Sequence, residues 1–200
     1  MKTLTVIGLI FLGWVATLAA PVTTVDIQDL FELQFSPTDA LHGIPFEVVE
    51  GANSPVTDRG YLTDARNANS PILDKTIVPK DKATAINYTW ELGAVPAAGR
   101  KLKEIKVWWS IKDLHGSGID LKFAVRDTAT RAWKDITPDI REANTYEGDI
   151  NVFKVLTVTF PEGTAAAAVS GFNALRMITR KPGESATYTT RFVKVNAFMY

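Results

Sequence analysis

The sequence predicts an all-β protein, an antiparallel β-sandwich of the jelly-roll type. Three observations carry that expectation. From residue 85 onward, apolar residues recur at every second position, the period of a half-buried strand. The apolar runs are joined by turn-rich stretches such as DLHGSG, PEGT and RKPGES. After the first twenty residues there is no amphipathic helical pattern of four turns and no βαβ alternation, which argues against a parallel sheet.

In chain order, residues 1–19 read as a secretory signal. Met1-Lys2 gives a short positive start, and Leu4 to Ala20 is uncharged and mostly apolar. The small residues Thr17 and Ala19 fit the −3 and −1 positions of a cleavage site, with cleavage after Ala19. The competing reading is a retained anchor. The run is at the lower limit for spanning a bilayer, contains two Gly, and is not followed by a basic cluster.

Residues 20–60 form an N-terminal segment expected to be irregular and packed on the sandwich, and 61–200 form the sandwich domain. The irregular composition, rich in Pro, Asp, Asn and Thr, persists to about residue 84, with Ile27–Leu33 and Ile44–Val49 as the apolar groups. Loops, short strands and one helical turn are expected there.

The strands after residue 84 show their faces. Ile86, Tyr88, Trp90 and Leu92 share one side, as do Ile105, Val107, Trp109 and Ile111, and then Ile119, Leu121, Phe123 and Val125. The segments NVFKVLTVTF, ALRMITR and TRFVKVNAFMY are expected to follow as strands, with TPDIREANTYEGD as a long connection.

Composition removes several function classes. The 200 residues carry 22 Lys plus Arg and 22 Asp plus Glu, and this balance argues against a nucleic-acid binder. Cys is absent, so disulfides, thiolate catalysis and Cys-type zinc sites are excluded. His42 and His115 are the only histidines and show no metal-ligand spacing, so they read as surface residues. His115-Gly116-Ser117-Gly118 reads as a turn and not a catalytic triad. There is no phosphate-binding glycine loop. Asp139, Glu142, Glu147 and Asp149 could supply a glycosidase carboxylate pair or oxygen ligands, but a solvated acidic loop is the simpler reading.

The aromatic residues are the candidate binding groups. Trp109 falls on the apolar side of its strand, so Trp108 points to the opposite side, between Lys106 and Ser110. Lys122, Arg126, Arg176 and Arg180 are expected on neighbouring strands of that face. An exposed indole among cations could stack on a sugar ring or hold an arginine. The competing reading is that the N-terminal segment covers Trp108. Trp90 and Trp133 are expected in the core. Tyr61, Arg66 and Tyr146 fall in expected loops, where jelly-roll ligand rims form.

Several of these landmarks together resemble a known family. Leu62-Thr63-Asp64-Ala65 resembles the L-x-D-G turn of discoidin-like, or galactose-binding-like (F5/8 type C-like), jelly rolls. Tyr88–Gly93 resembles their x-W-x-L-G strand, and Glu104–Trp108 the following strand. Ala174–Met177, then Phe192–Val195 with Phe198, resemble the closing pair, and Trp133 resembles the Trp of the middle hairpin. The resemblance spans about 60–200. It implies an exported, non-catalytic module that binds glycans, glycoproteins or lipid head groups. It also implies a structural calcium, with Asp64 at the position of a ligand. Two departures oppose the ion: Lys194 stands where the family has a glutamate, and Ala65 replaces a glycine.

The expected function is therefore an exported carbohydrate-binding module, secreted to the extracellular space or periplasm. Its contacts would be Trp108, Tyr61, Arg66, Arg126 and Tyr146. Its partner would be a carbohydrate or glycoprotein on a wall, matrix or cell surface, with no nucleic acid and no membrane insertion after signal cleavage. No cofactor is expected beyond the calcium at Asp64 that the resemblance implies. The alternatives are a protein–protein adhesion module, and a small glycan-active hydrolase or lyase.

Overall fold

The computed structural model describes residues 20–29, 39–48, 51, 59–60, 62–63, 84–92, 101–110, 119–142, 152–162, 171–180 and 192–200. Ten strands are found there: β1 (Val22–Asp29), β2 (Phe46–Val48), β3 (Ile86–Glu91), β4 (Leu102–Ser110), β5 (Ile119–Asp127), β6 (Trp133–Asp135), β7 (Ile140–Glu142), β8 (Val152–Thr159), β9 (Phe172–Arg180) and β10 (Phe192–Met199). They form two antiparallel sheets. One has the order β1-β8-β4-β10; the other has the order β2-β3-β9-β5-β6, with β7 also paired to β5. The chain passes repeatedly from one sheet to the other, as a jelly roll does. Among the described residues no helix is long and apolar enough to cross a membrane.

The alternation read from the sequence sets the inner faces. Trp90, Tyr88 and Ile86 of β3, Leu121 and Phe123 of β5, and Leu175 and Met177 of β9 are buried. They meet Val107 and Trp109 of β4, Leu156 and Val158 of β8, and Val195 of β10 in one core. Tyr88 and Phe192 join the sheets edge to face, with ring centroids 6.0 Å apart. Phe46 packs on Tyr88 at 5.1 Å. The expected two-sheet antiparallel architecture is the one found, and the described residues of the stretches that carry the family resemblance lie on β3, β4, β9, β10, the β5–β6 hairpin or the turn before residue 64.

The N-terminal segment, expected to be irregular, contributes an eight-residue strand. β1 pairs along its whole length with β8, Val22 opposite Thr159 through Asp29 opposite Val152. An edge strand buries little on its outer side, so it lacks the apolar alternation that marks an interior strand. The expected connection 137–149 contains β7, three residues long and thus too short for a periodic signal.

The free edge of β10 is capped. Ala40 N donates to Ala197 O at 2.8 Å, and Val195 N to Leu62 O at 2.8 Å. The turn Gly60–Thr63, closed by Thr63 N on Gly60 O at 3.0 Å, thereby sits against the last strand. Edge carbonyls and amides are satisfied in this way, and β10 is buried on both sides from Phe192 to Ala197.

Candidate functional site

The face with the most binding chemistry is the outer side of the six-stranded sheet. β9 runs through its middle, and the register fixes the neighbours. Ala174 lies between Glu91 of β3 and Arg126 of β5, and Arg176 lies between Thr89 and Ala124. Two short side chains therefore alternate with two long cations. Arg126 reaches across Ala174 to Glu91, with Nη1 donating to Oε1 at 2.9 Å and Nη2 meeting Oε2. Its Nε donates to Asn173 Oδ1 at 2.8 Å. Such fork-to-fork pairing fixes the guanidinium plane.

Trp133 joins this row through a hairpin. The Asp127 carboxylate accepts from Ala129 N and Thr130 N, both at 2.8 Å, and Arg131 adopts φ 57° in the turn. The turn sets Trp133 opposite Arg126 in the β5–β6 ladder. These hydrogen bonds, chiefly from Thr130, hold the Asp127 carboxyl below its ordinary pKa. The space over Ala124 admits Arg176, whose guanidinium carbon lies 3.8 Å from the Trp133 ring centroid; that of Arg126 lies at 5.7 Å. Arg176 Nε also donates to Thr89 Oγ1 at 3.0 Å. The result is a partly exposed indole stacked with a guanidinium, flanked by fixed donors and acceptors.

The carboxylates around this row are engaged by cations. Lys122 meets Asp135 at 2.6 Å, Arg141 meets Asp120 at 3.1 Å, and Arg180 meets Asp139 at 3.2 Å. Glu142 lies 3.4 Å from Lys154, which is buried on the inner side of β8 and so links the two sheets. Of the four acidic residues considered for a glycosidase pair, Asp139 and Glu142 are thus in ion pairs, and Glu147 and Asp149 lie outside the described residues.

Two expectations are corrected. Trp108 is not an exposed platform: it is 4% exposed. It does lie on the side of β4 opposite Trp109, but there it pairs with Val155 and Lys194, which are buried as well. Nor does it share a face with Arg126. β4 and β5 are consecutive in the chain but belong to different sheets, so their outward residues lie on opposite sides of the sandwich. The indole beside Arg126 is Trp133, which was expected in the core. Tyr61, Arg66, Tyr146 and Asp64 lie outside the described residues, as does the signal segment 1–19.

Sequence reasoning placed Arg126 outward and missed its partners. A usable signal was present: the short turn after Asp127 makes Trp133 the cross-strand neighbour of Arg126. Glu91, Thr89 and Asn173 carried no such signal, since their approach depends on β9 pairing with both β3 and β5.

Of the donor set implied for calcium, the described residues include the β10 position, and Asp64 lies outside them. Among the described residues no three of His, Asp and Glu converge as a metal would require. In β10 the implied carboxylate position is Lys194, 2% exposed. Burial lowers its pKa from the ordinary lysine value, and the nearby Asp39 carboxylate opposes that shift.

No family model matches the sequence, and no curated protein matches it. Solved structures of similar shape include three that cover most of this chain. One is CpGH89CBM32-4 from Clostridium perfringens, at 12% identity and TM-score 0.44, covering 80% of this chain and 98% of that one. Another is reduced XRCC1 bound to the DNA pol beta catalytic domain, at 11% identity and TM-score 0.46, covering 77% and 96%. The third is CBM32-1 from a family 31 glycoside hydrolase of Clostridium perfringens, at 11% identity and TM-score 0.38, covering 80% and 99%. The fold assignment itself rests on the pairing of the two sheets described above.

Proposed function

We propose that this chain is an exported, non-catalytic module that binds carbohydrate through the outer face of its six-stranded sheet. The carrying observation is the Trp133–Arg176 stack beside the Arg126–Glu91–Asn173 cluster. A sugar ring offers an apolar C–H side and a rim of hydroxyls that each donate and accept. A rigid aromatic–guanidinium surface with fixed polar neighbours answers both needs. Trp133 takes the role first expected of Trp108, and Arg126 keeps its role. Tyr61, Arg66 and Tyr146 are proposed as loop contacts at the rim, with a wall, matrix or surface glycoprotein as the source of the glycan.

A hydrolase is less well supported. A general acid needs a carboxyl kept away from cations in an apolar setting, whereas Glu91, Asp120 and Asp135 each sit against Arg or Lys. An adhesion surface would show contiguous exposed apolar groups. Among the described residues the large apolar side chains most open to solvent are Val22 and Tyr200. Export is supported by the charged start and apolar run. Cleavage after Ala19 would leave β1, which starts at Val22, intact.

The test is a polysaccharide and glycan-array screen of the chain 20–200, wild type against Trp133→Ala. Retention of one glycan class, lost at least ~10-fold in a folded Trp133→Ala, is the expected result. Folded wild type that binds no glycan, or a variant that binds as well as wild type, overturns the proposal.

A further inference from the structure

The junction between the N-terminal segment and β10 holds a second unusual set of groups, remote from the Trp133 face. Asp39 is buried there, and its carboxylate accepts three hydrogen bonds. Oδ1 accepts from Leu41 N at 3.0 Å and Ala197 N at 2.9 Å, and Oδ2 accepts from Asn196 Nδ2. Lys194 and Asn196 are two residues apart on the same side of β10. Both are buried, and the Asp39 charge acts on the Lys194 ammonium. Between them, Val195 N donates to Leu62 O, in the turn that leads to residue 64. The turn before residue 64 is therefore bonded to β10, and the buried charged side chain that β10 carries next to this bond is a lysine.

A buried carboxylate left without a positive neighbour is costly, even when hydrogen-bonded. A buried ammonium is costly for the same reason, and each offsets part of the penalty of the other. An ion with oxygen preference and double charge has no reason to enter beside an ammonium, because calcium needs anionic oxygens and repels a neighbouring cation.

We propose that Lys194 supplies, from within the chain, the positive charge beside the buried Asp39 carboxylate at β10, so that this junction needs no calcium. The cation is covalent, so it cannot be removed by a chelator or diluted away.

The experiment is thermal melting of the chain 20–200 in chelator and in millimolar calcium, with Lys194→Met and the double variant Asp39→Asn/Lys194→Met. Wild-type Tm is expected to be the same with and without calcium. A metal bound only to the folded state would raise it by mass action. Lys194→Met, which keeps the stem but strands the Asp39 charge, is expected to lower Tm by about 10 °C. The double variant is expected to regain at least half of that. Asn196 can then turn its amide, because its Oδ1 is buried without a hydrogen-bond partner among the described residues and can accept from the new amide at position 39. A calcium-dependent rise of several degrees in wild type overturns the proposal. So does a Lys194→Met variant as stable as wild type. If Lys194→Met does not fold, the double variant against Asp39→Asn alone gives the same comparison: Asp39→Asn alone should be the less stable of the two, and the reverse order overturns the proposal.

Discussion

Arg176 lies with its guanidinium carbon 3.8 Å from the ring centroid of Trp133, and its Nε is tied to Thr89. Three strands are thereby linked on one face by a single side chain. Arg176→Leu keeps an apolar stem over the ring and removes the charge. The expected cost is about 1 kcal/mol, the scale of a partly exposed cation–π contact, read by urea unfolding. The same variant should change the fluorescence of Trp133, isolated by comparison with Trp133→Phe. A loss of several kcal/mol would show that Arg176 is a core strut and not part of an adaptable surface.

Trp108→Ala should act on stability and not selectively on binding. The side chain is buried between Val155 and Lys194 in the register of its sheet. Removing a buried indole costs about 3–5 kcal/mol. At a temperature where the variant is folded, its glycan retention should match wild type. A folded variant of normal stability that loses binding would restore Trp108 as a contact residue.

Gly51→Ala should be among the most destabilising small changes. Gly51 adopts φ +91°, and a Cβ there would lie 2.0 Å from the Ala85 carbonyl oxygen. Backbone must move, and the positive φ adds strain, so a loss of at least about 2 kcal/mol is expected by denaturant unfolding. A neutral result would mean that the segment before β3 can shift freely.

Asp127 gives a pH dependence with a defined sign. Its folded pKa lies below the ordinary 3.8, chiefly because Thr130 donates to the ionised form. The associated stability is present above pH 3.8 and is lost as pH falls through the lowered folded value. Asp127→Asn keeps an acceptor for the turn but cannot ionise. The stability difference between wild type and Asp127→Asn should be flat above about pH 5 and shrink below pH 3.8. A difference that stays constant to pH 2 would remove the carboxylate from this role.

The faces of individual strands were legible in the sequence because alternation is a local property of extended backbone. Ile119, Leu121, Phe123 and Val125 point inward, as their spacing requires, and Lys122 and Arg126 point outward. The β5–β6 hairpin was equally local, since Asp127 closes its own turn. β1 and β7 escaped notice for opposite reasons. One is an edge strand with little to bury, and the other is too short to show a period.

The amino-acid order by itself determined the all-β class, the inward residues of the long strands and the outward aim of Arg126. Tertiary structure alone decided which outward residues meet. β4 and β5 part into different sheets, which separates Trp108 from Arg126, while β3, β9 and β5 pair, which gathers Glu91, Ala174 and Arg126 into one row. It also decided that the outer side of β10 is covered, turning Lys194 from a surface lysine into a buried group on which the Asp39 charge acts. The reason is physical: periodicity fixes which side of its own strand a residue takes, but the solvent, the partner and the charge beyond that side belong to segments distant in sequence.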